Sequence, residues 1–161
     1  MKRTLLLALV GACALTVHAT QWPYDERADA TAQVQQALDA ARADHKKVLL
    51  VFGANWCEDC RALDRAMHGS SQPLIEGRFH VVKIDVGNFN KNLALAARYG
   101  NPIKRGIPAV VLLDADQGII YSTRGGELAN ARRMGKQGIY DFLAQKLASA
   151  AGPMTDGRAA Q

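Results

Sequence analysis

Five consecutive apolar residues, Val48-Leu49-Leu50-Val51-Phe52, run into a break at Gly53-Ala54-Asn55 and then into Trp56-Cys57-Glu58-Asp59-Cys60. This handover constrains the fold more than any other stretch of the chain. An unbroken apolar run of strand length belongs to a strand covered on both faces, whereas a half-exposed strand alternates in polarity. After the break the sequence fits a helix that turns Leu63 and Met67 inward. A doubly covered strand feeding directly into a helix is the unit of a layered α/β domain. Both cysteines sit at the junction.

The flanking segments extend the pattern. From Asp29 onward, Val34, Leu38 and Ala41 recur at helical spacing, and the helix ends at Asp44-His45-Lys46-Lys47. Gly69-Ser70-Ser71 closes the helix that carries the cysteines, and a short helical turn over 73–76 precedes a second strand at 79–86. Asn88 to Asn90 reads as a turn and cap, followed by a helix through Leu93, Ala96, Ala97 and Tyr99. Gly100-Asn101-Pro102 breaks the chain, and Ile107-Pro108 leads into a third strand at 109–113. Asp114-Ala115-Asp116-Gln117-Gly118 is a hairpin turn with a strand returning over 119–122. Gly125-Gly126 opens a polar stretch over 127–137, and a last amphipathic helix runs through Ile139, Phe142, Leu143 and Leu147. The order α-β-α-β-α-β-β-α predicts a mixed sheet with a parallel core, a C-terminal antiparallel hairpin and helices on both faces.

At 161 residues the chain has room for one such domain, expected over 29–150. The first nineteen residues differ in kind. Lys2 and Arg3 precede an almost uncharged apolar run over 4–17, and Val17-His18-Ala19 places small residues where a signal peptidase cuts. The run is shorter than the roughly 20 residues of a membrane-spanning helix. The expectation is a signal peptide over 1–19, a leader with little structure over 20–28, a disordered tail over 151–161, and export, in a bacterium to the periplasm. A competing cut falls between Ala12 and Cys13 of Val10-Gly11-Ala12-Cys13, which resembles a lipobox and would make Cys13 a lipidated N-terminus. Removal of residues 1–19 takes two cations and no acids, so the formal charge falls from +5 to +3. The remaining charge is spread along the chain without a basic run interleaved with aromatics, which gives nucleic-acid binding no support.

After cleavage only Cys57 and Cys60 remain. A pair three residues apart closes too short a loop to restrain an unfolded chain much, so its use is expected to be chemical. A cysteine at the first turn of a helix faces unpaired N–H groups and the positive end of the helix dipole. Its thiol becomes more acidic and therefore nucleophilic near neutral pH. Three residues on, the second cysteine lies on the same helix face and can attack the resulting mixed disulfide. Cys57 is expected to attack and Cys60 to resolve. No cofactor is expected beyond this redox-active disulfide.

Trp-Cys-x-x-Cys after an apolar strand, with Gly106-Ile107-Pro108 before another, resembles the thioredoxin family over about residues 30–148, and its exported thioredoxin-like branch. The resemblance implies that Pro108 is cis and packs against the sulfurs, and that the backbone at Ile107 pairs with substrate. It also favours Trp56 as an apolar lip for docking proteins, the alternative being a core residue at a strand end. Two features depart from thioredoxins proper. They keep a buried Asp six residues before the first cysteine, where this chain has Val51, and Gly-Pro between the cysteines, where this chain has Glu58-Asp59. A proton acceptor must then be sought in Glu58, in Lys83 with water, or in solvent. A carboxylate about 6 Å from a thiolate in water repels it by roughly 0.7 kcal/mol, so the two acids shift the potential by about tens of millivolts toward reducing, whereas loss of the proline between the cysteines acts the other way and leaves the direction open.

The other polar candidates are weaker. His45, His68 and His80 share no metal-ligand spacing, and Arg132 and Arg133 read as a solvated face in a loop longer than thioredoxins proper carry. The leading expectation is an enzyme, a monomer exchanging disulfides with protein substrates, with reduction favoured over oxidation or isomerisation. Working outside the cytosol, it would draw electrons from a membrane-embedded thiol relay. The alternative from another class is an exported carrier of Cu(I), a soft ion suited to two thiolates. A structural zinc site is disfavoured, because two cysteines fall short of the usual four ligands.

Overall fold

The computed structural model describes residues 22–150. Helix α1, Ala30–Asp44, starts where Asp29 accepts a hydrogen bond from the Ala32 N–H at 3.0 Å, and ends at His45 in the left-handed region (φ 59°). Strand β1, Lys47–Gly53, lies between two neighbours in a four-stranded sheet of order β2-β1-β3-β4. Strand β2, Phe79–Asp85, runs parallel to β1 with Leu50 opposite Val82. Strand β3, Ala109–Leu113, runs antiparallel with Leu50 opposite Val111, and β4, Ile119–Ser122, returns antiparallel to β3. The sheet is thus mixed, with one parallel pair.

Successive side chains of β1 enter opposite layers, which is why the run carries no polar residue. Leu50 and Phe52 pack with Val34 and Leu38 of α1 and with Ile84 and Ile103. Leu49 and Val51 pack on the other side with Leu63, Ile139 and Leu143. The second layer is built by α2, Glu58–Met67, the short α3, Gln72–Ile75, and α5, Ala131–Ala150. Helix α4, Leu93–Arg98, and a 3-10 turn, Pro102–Arg105, complete the first layer. A fully buried leucine in either layer is worth about 1.5–3 kcal/mol relative to exposure.

Two segments differ from the sequence expectation. The polar stretch 127–137 is not all loop, since α5 begins at Ala131 and is interrupted only at Gly135 (φ 66°). Leu128 and Ala131 are fully buried and pin that first turn to α2 and the sheet. Residues 22–28 contain no helix or strand, yet Tyr24 is 3% exposed and belongs to the core of the α1 layer. The signal-peptide, Cys13 and 151–161 tail readings lie outside the described residues.

Candidate functional site

The end of β1 sets the site. Beyond Gly53 the chain turns through Ala54, whose carbonyl accepts from the Cys57 N–H at 3.2 Å. Cys57 is the N-cap of α2 (φ −76°, ψ 111°), and its sulfur accepts the Cys60 N–H at 3.1 Å. A thiolate at that atom would occupy the place where a capping oxygen normally stands, facing N–H groups that no helical carbonyl can reach. Cys57 and Cys60 are joined as a disulfide with Cα atoms 5.2 Å apart. Cys57 is 6% exposed and Cys60 not at all.

From the opposite side, the Ile107 carbonyl oxygen lies 3.6 Å from Cys57 Sγ, and the Ile107–Pro108 peptide bond is cis. Both residues are buried. Two residues further on, Val110 donates its N–H to the Thr123 hydroxyl at 2.8 Å, which ties the start of β3 to the chain leaving β4. The sulfur therefore opens onto a shallow depression of about 390 Å³ walled by Trp56, Phe89, Ile107, Ala129 and Arg132. Trp56 is 54% exposed, so it is not a core residue. Its indole N–H donates to the Gly87 carbonyl at 2.9 Å, and its ring tilts against Phe89 with centroids 6.3 Å apart. A larger groove of about 700 Å³ runs along β2 past Ile75, His80 and Val82, away from the sulfurs.

Glu58 and Asp59 are not free carboxylates. Arg132 donates its backbone N–H to Asp59 Oδ1 at 2.8 Å, approaches the same oxygen with Nε at 3.4 Å, and pairs through Nη1 with Glu58 Oε2. The reading of Arg132 as a solvated face is therefore corrected: its cation stands over both acids beside Cys57. Lys83 pairs with Asp64 and lines a separate depression with Trp22, Pro23 and His68. His68 and His80 turn to Asp64 and Asp44. Among the described residues no group of three or more His, Cys, Asp or Glu could hold a metal ion.

Three residues of the site were missed from sequence: Phe89, Tyr24 and Asn55. Phe89 adopts φ 59° inside a turn, and an aromatic in such a turn has no core to enter, which was the available signal. Asn55 holds the leader by a reciprocal pair, accepting from the Tyr24 N–H at 3.0 Å and donating to the Tyr24 carbonyl at 2.9 Å. Burial pushes the Tyr24 phenol well above its ordinary range, and the charges of Asp64 and Asp85 push it further. Asp85 is itself buried and paired with Lys91 at 3.1 Å.

The family model described as Thioredoxin-like matches residues 29–115, which is more than half of the chain. A solved structure described as a disulphide isomerase from Xylella fastidiosa Temecula1 is 58% identical, with a TM-score of 0.76, covering 79% of this chain and 98% of that one. This chain belongs to the thioredoxin-like family. More distant matches are an oxidised C-terminal domain of DsbD from Neisseria meningitidis (26% identity, TM-score 0.44, 57% and 80% covered) and a thioredoxin mutant from Halobacterium salinarum NRC-1 (28%, 0.45, 70% and 85%). No curated protein sequence matches the chain. With a redox-type cysteine pair at the start of a helix, this thioredoxin-like protein is a thiol–disulfide oxidoreductase.

Proposed function

We propose that this thioredoxin-like protein works from its dithiol form on disulfides of exported proteins, as a reductant. The carrying observation is the asymmetry of the pair: Cys57 caps α2 at the floor of an open depression, while Cys60 is sealed beneath it. Cys57 thiolate attacks a substrate sulfur and displaces the partner sulfur as a thiol, leaving a mixed disulfide. Cys60 then attacks Cys57 Sγ, releases the second substrate thiol and closes the disulfide. Trp56, Ile107 and Pro108 would hold the substrate segment, and Glu58 and Asp59 would tune the sulfur. Lys83 is too engaged with Asp64 to serve as the acceptor considered for it. A membrane thiol relay would return electrons, and the protein would act as a monomer. Export rests on the character of residues 1–19.

Isomerisation is the second reading, favoured by the 58% identical relative described as a disulphide isomerase. It uses the same first step, but the substrate's own thiol resolves the mixed disulfide. The copper-carrier reading keeps the two sulfurs, with no His, Asp or Glu among the described residues completing a set of three around them.

In the reduced protein Cys57 should be alkylated first, and a Cys60→Ser variant should trap mixed disulfides while Cys57→Ser traps none. Mass spectrometry of partly labelled protein decides this, and first label on Cys60 would reverse the roles. Incubation with a scrambled and a uniformly oxidised substrate separates the directions. Recovery of native pairing without net thiol release would favour the isomerase. A glutathione series fixes the potential, and Cu(I) retained by the dithiol against a competing chelator would favour the carrier.

A further inference from the structure

Resting on the thiol–disulfide reading above, we propose that the Tyr24 phenol is the positioning residue of the resolving step, donating a hydrogen bond to the Cys60 thiolate. Cys60 is wholly buried, so a charge forming on its sulfur must be met by protein rather than by bulk water. The position where the resemblance leads one to expect a carboxylate is Val51, whose side chain packs into the layer on the other side of the sheet. Cys60 packs in the layer that contains Tyr24.

The geometry brings the two groups to one point. A Cβ placed on Gly53 would overlap the Tyr24 hydroxyl, meet its ring carbon Cζ at 2.5 Å and stand 2.9 Å from Cys60 Sγ. The phenol and the sulfur therefore share the space that a glycine leaves open at the end of β1. The ring is fixed there although it lies outside every helix and strand. Asn55 clamps its backbone from the segment that delivers Cys57, and Lys91 Nζ donates to the Glu26 carbonyl at 3.2 Å two residues further on. The carboxylates of Asp64, from α2, and Asp85, from β2, face the ring, each already paired with a lysine of β2 or of the loop after it, Lys83 and Lys91. Buried among them, the phenol stays protonated and acts as a donor rather than a base.

In the resolving step Cys60 loses its proton and attacks Cys57 Sγ. The bond from Cys57 to the substrate breaks, the substrate sulfur leaves with the electron pair, and the proton ends on it. Tyr24 takes no proton in the balance; it lowers the cost of the thiolate along the way.

The test is Tyr24→Phe, which keeps the ring and removes only the hydroxyl. The two steps are followed separately by rapid mixing with a disulfide-bonded peptide: formation of the mixed disulfide, then its release. Release should slow about tenfold, equivalent to about 1.4 kcal/mol, and the midpoint of its pH profile should move upward, while the first attack keeps its rate. Cys60→Ser, which halts after attack, calibrates the first step. Wild-type release with an unmoved pH profile in a folded Tyr24→Phe protein would overturn the inference and leave the oxidoreductase reading standing. Failure of the wild type to form any mixed disulfide would instead sink that reading. Equal slowing of both steps would show that Tyr24 serves only the architecture.

Discussion

At Cys57 one sulfur both ends a strand-to-helix turn and carries the chemistry, so its charge is governed by what surrounds the first turn of α2. Arg132 is the adjustable member of that surround. With its cation removed, Glu58 and Asp59 would face the thiolate uncompensated, the thiol would become less acidic, and the disulfide would be favoured. Arg132→Ala should therefore make the pair more reducing by about 10–30 mV, an effect that shrinks in high salt because the groups are exposed. Equilibration with glutathione measures it, and the same substitution in a Glu58→Gln/Asp59→Asn background should do almost nothing. Val51 tests the other direction. It is 2% exposed among apolar side chains, so Val51→Asp should cost roughly 1–3 kcal/mol of stability and the new carboxyl should titrate high. An unchanged melting temperature would contradict the burial. Cys57 and Cys60 were legible in the sequence because strand, break and helix are contiguous there. Arg132 was not, because its partner Asp59 is 73 positions away and a solvated arginine has the same local signature.

Among the elements, β1 and α1 follow directly from apolar spacing, and the β3–β4 hairpin from its turn residues. The leader does not, because nothing periodic marks it. It is ordered by single contacts, of which the Asn55 pair across 31 positions is the chief one. Asn55→Ala should leave two backbone polar groups of Tyr24 unpaired, at a cost of about 1–3 kcal/mol. The loss should be local: faster hydrogen exchange and protease cleavage within 22–28, with the sheet amides unchanged. The start of α5 was hidden for a related reason. Its first turn is polar in sequence and is held by Leu128 and Ala131, two side chains too few to set a period.

For the molecule as a whole, three phenols are held above their ordinary range: Tyr24 and Tyr99, and Tyr121, pushed up to about 12 by burial and then by Glu127. Each favours the folded state fully below the unfolded value of about 10, and the advantage is lost as pH climbs toward the folded value, because the unfolded chain ionises first. Thermal stability should therefore decline between about pH 10 and 12, and Tyr121→Phe should flatten that decline in a melting series. The clamped leader also has a consequence for whatever precedes it. Trp22 stacks with the Arg61 guanidinium at 5.8 Å, on the helix that begins at the sulfurs. An engineered extension of ten Gly/Ser-type residues ahead of Trp22 would span roughly 18 Å on average, enough to reach Cys57 from a ring held against Arg61, whose Nη1 donates to the Asn55 carbonyl two residues before Cys57. A cysteine written into such an extension would meet Cys57 at an effective concentration of about millimolar. It would occupy the depression as a tethered substrate before any free one arrived.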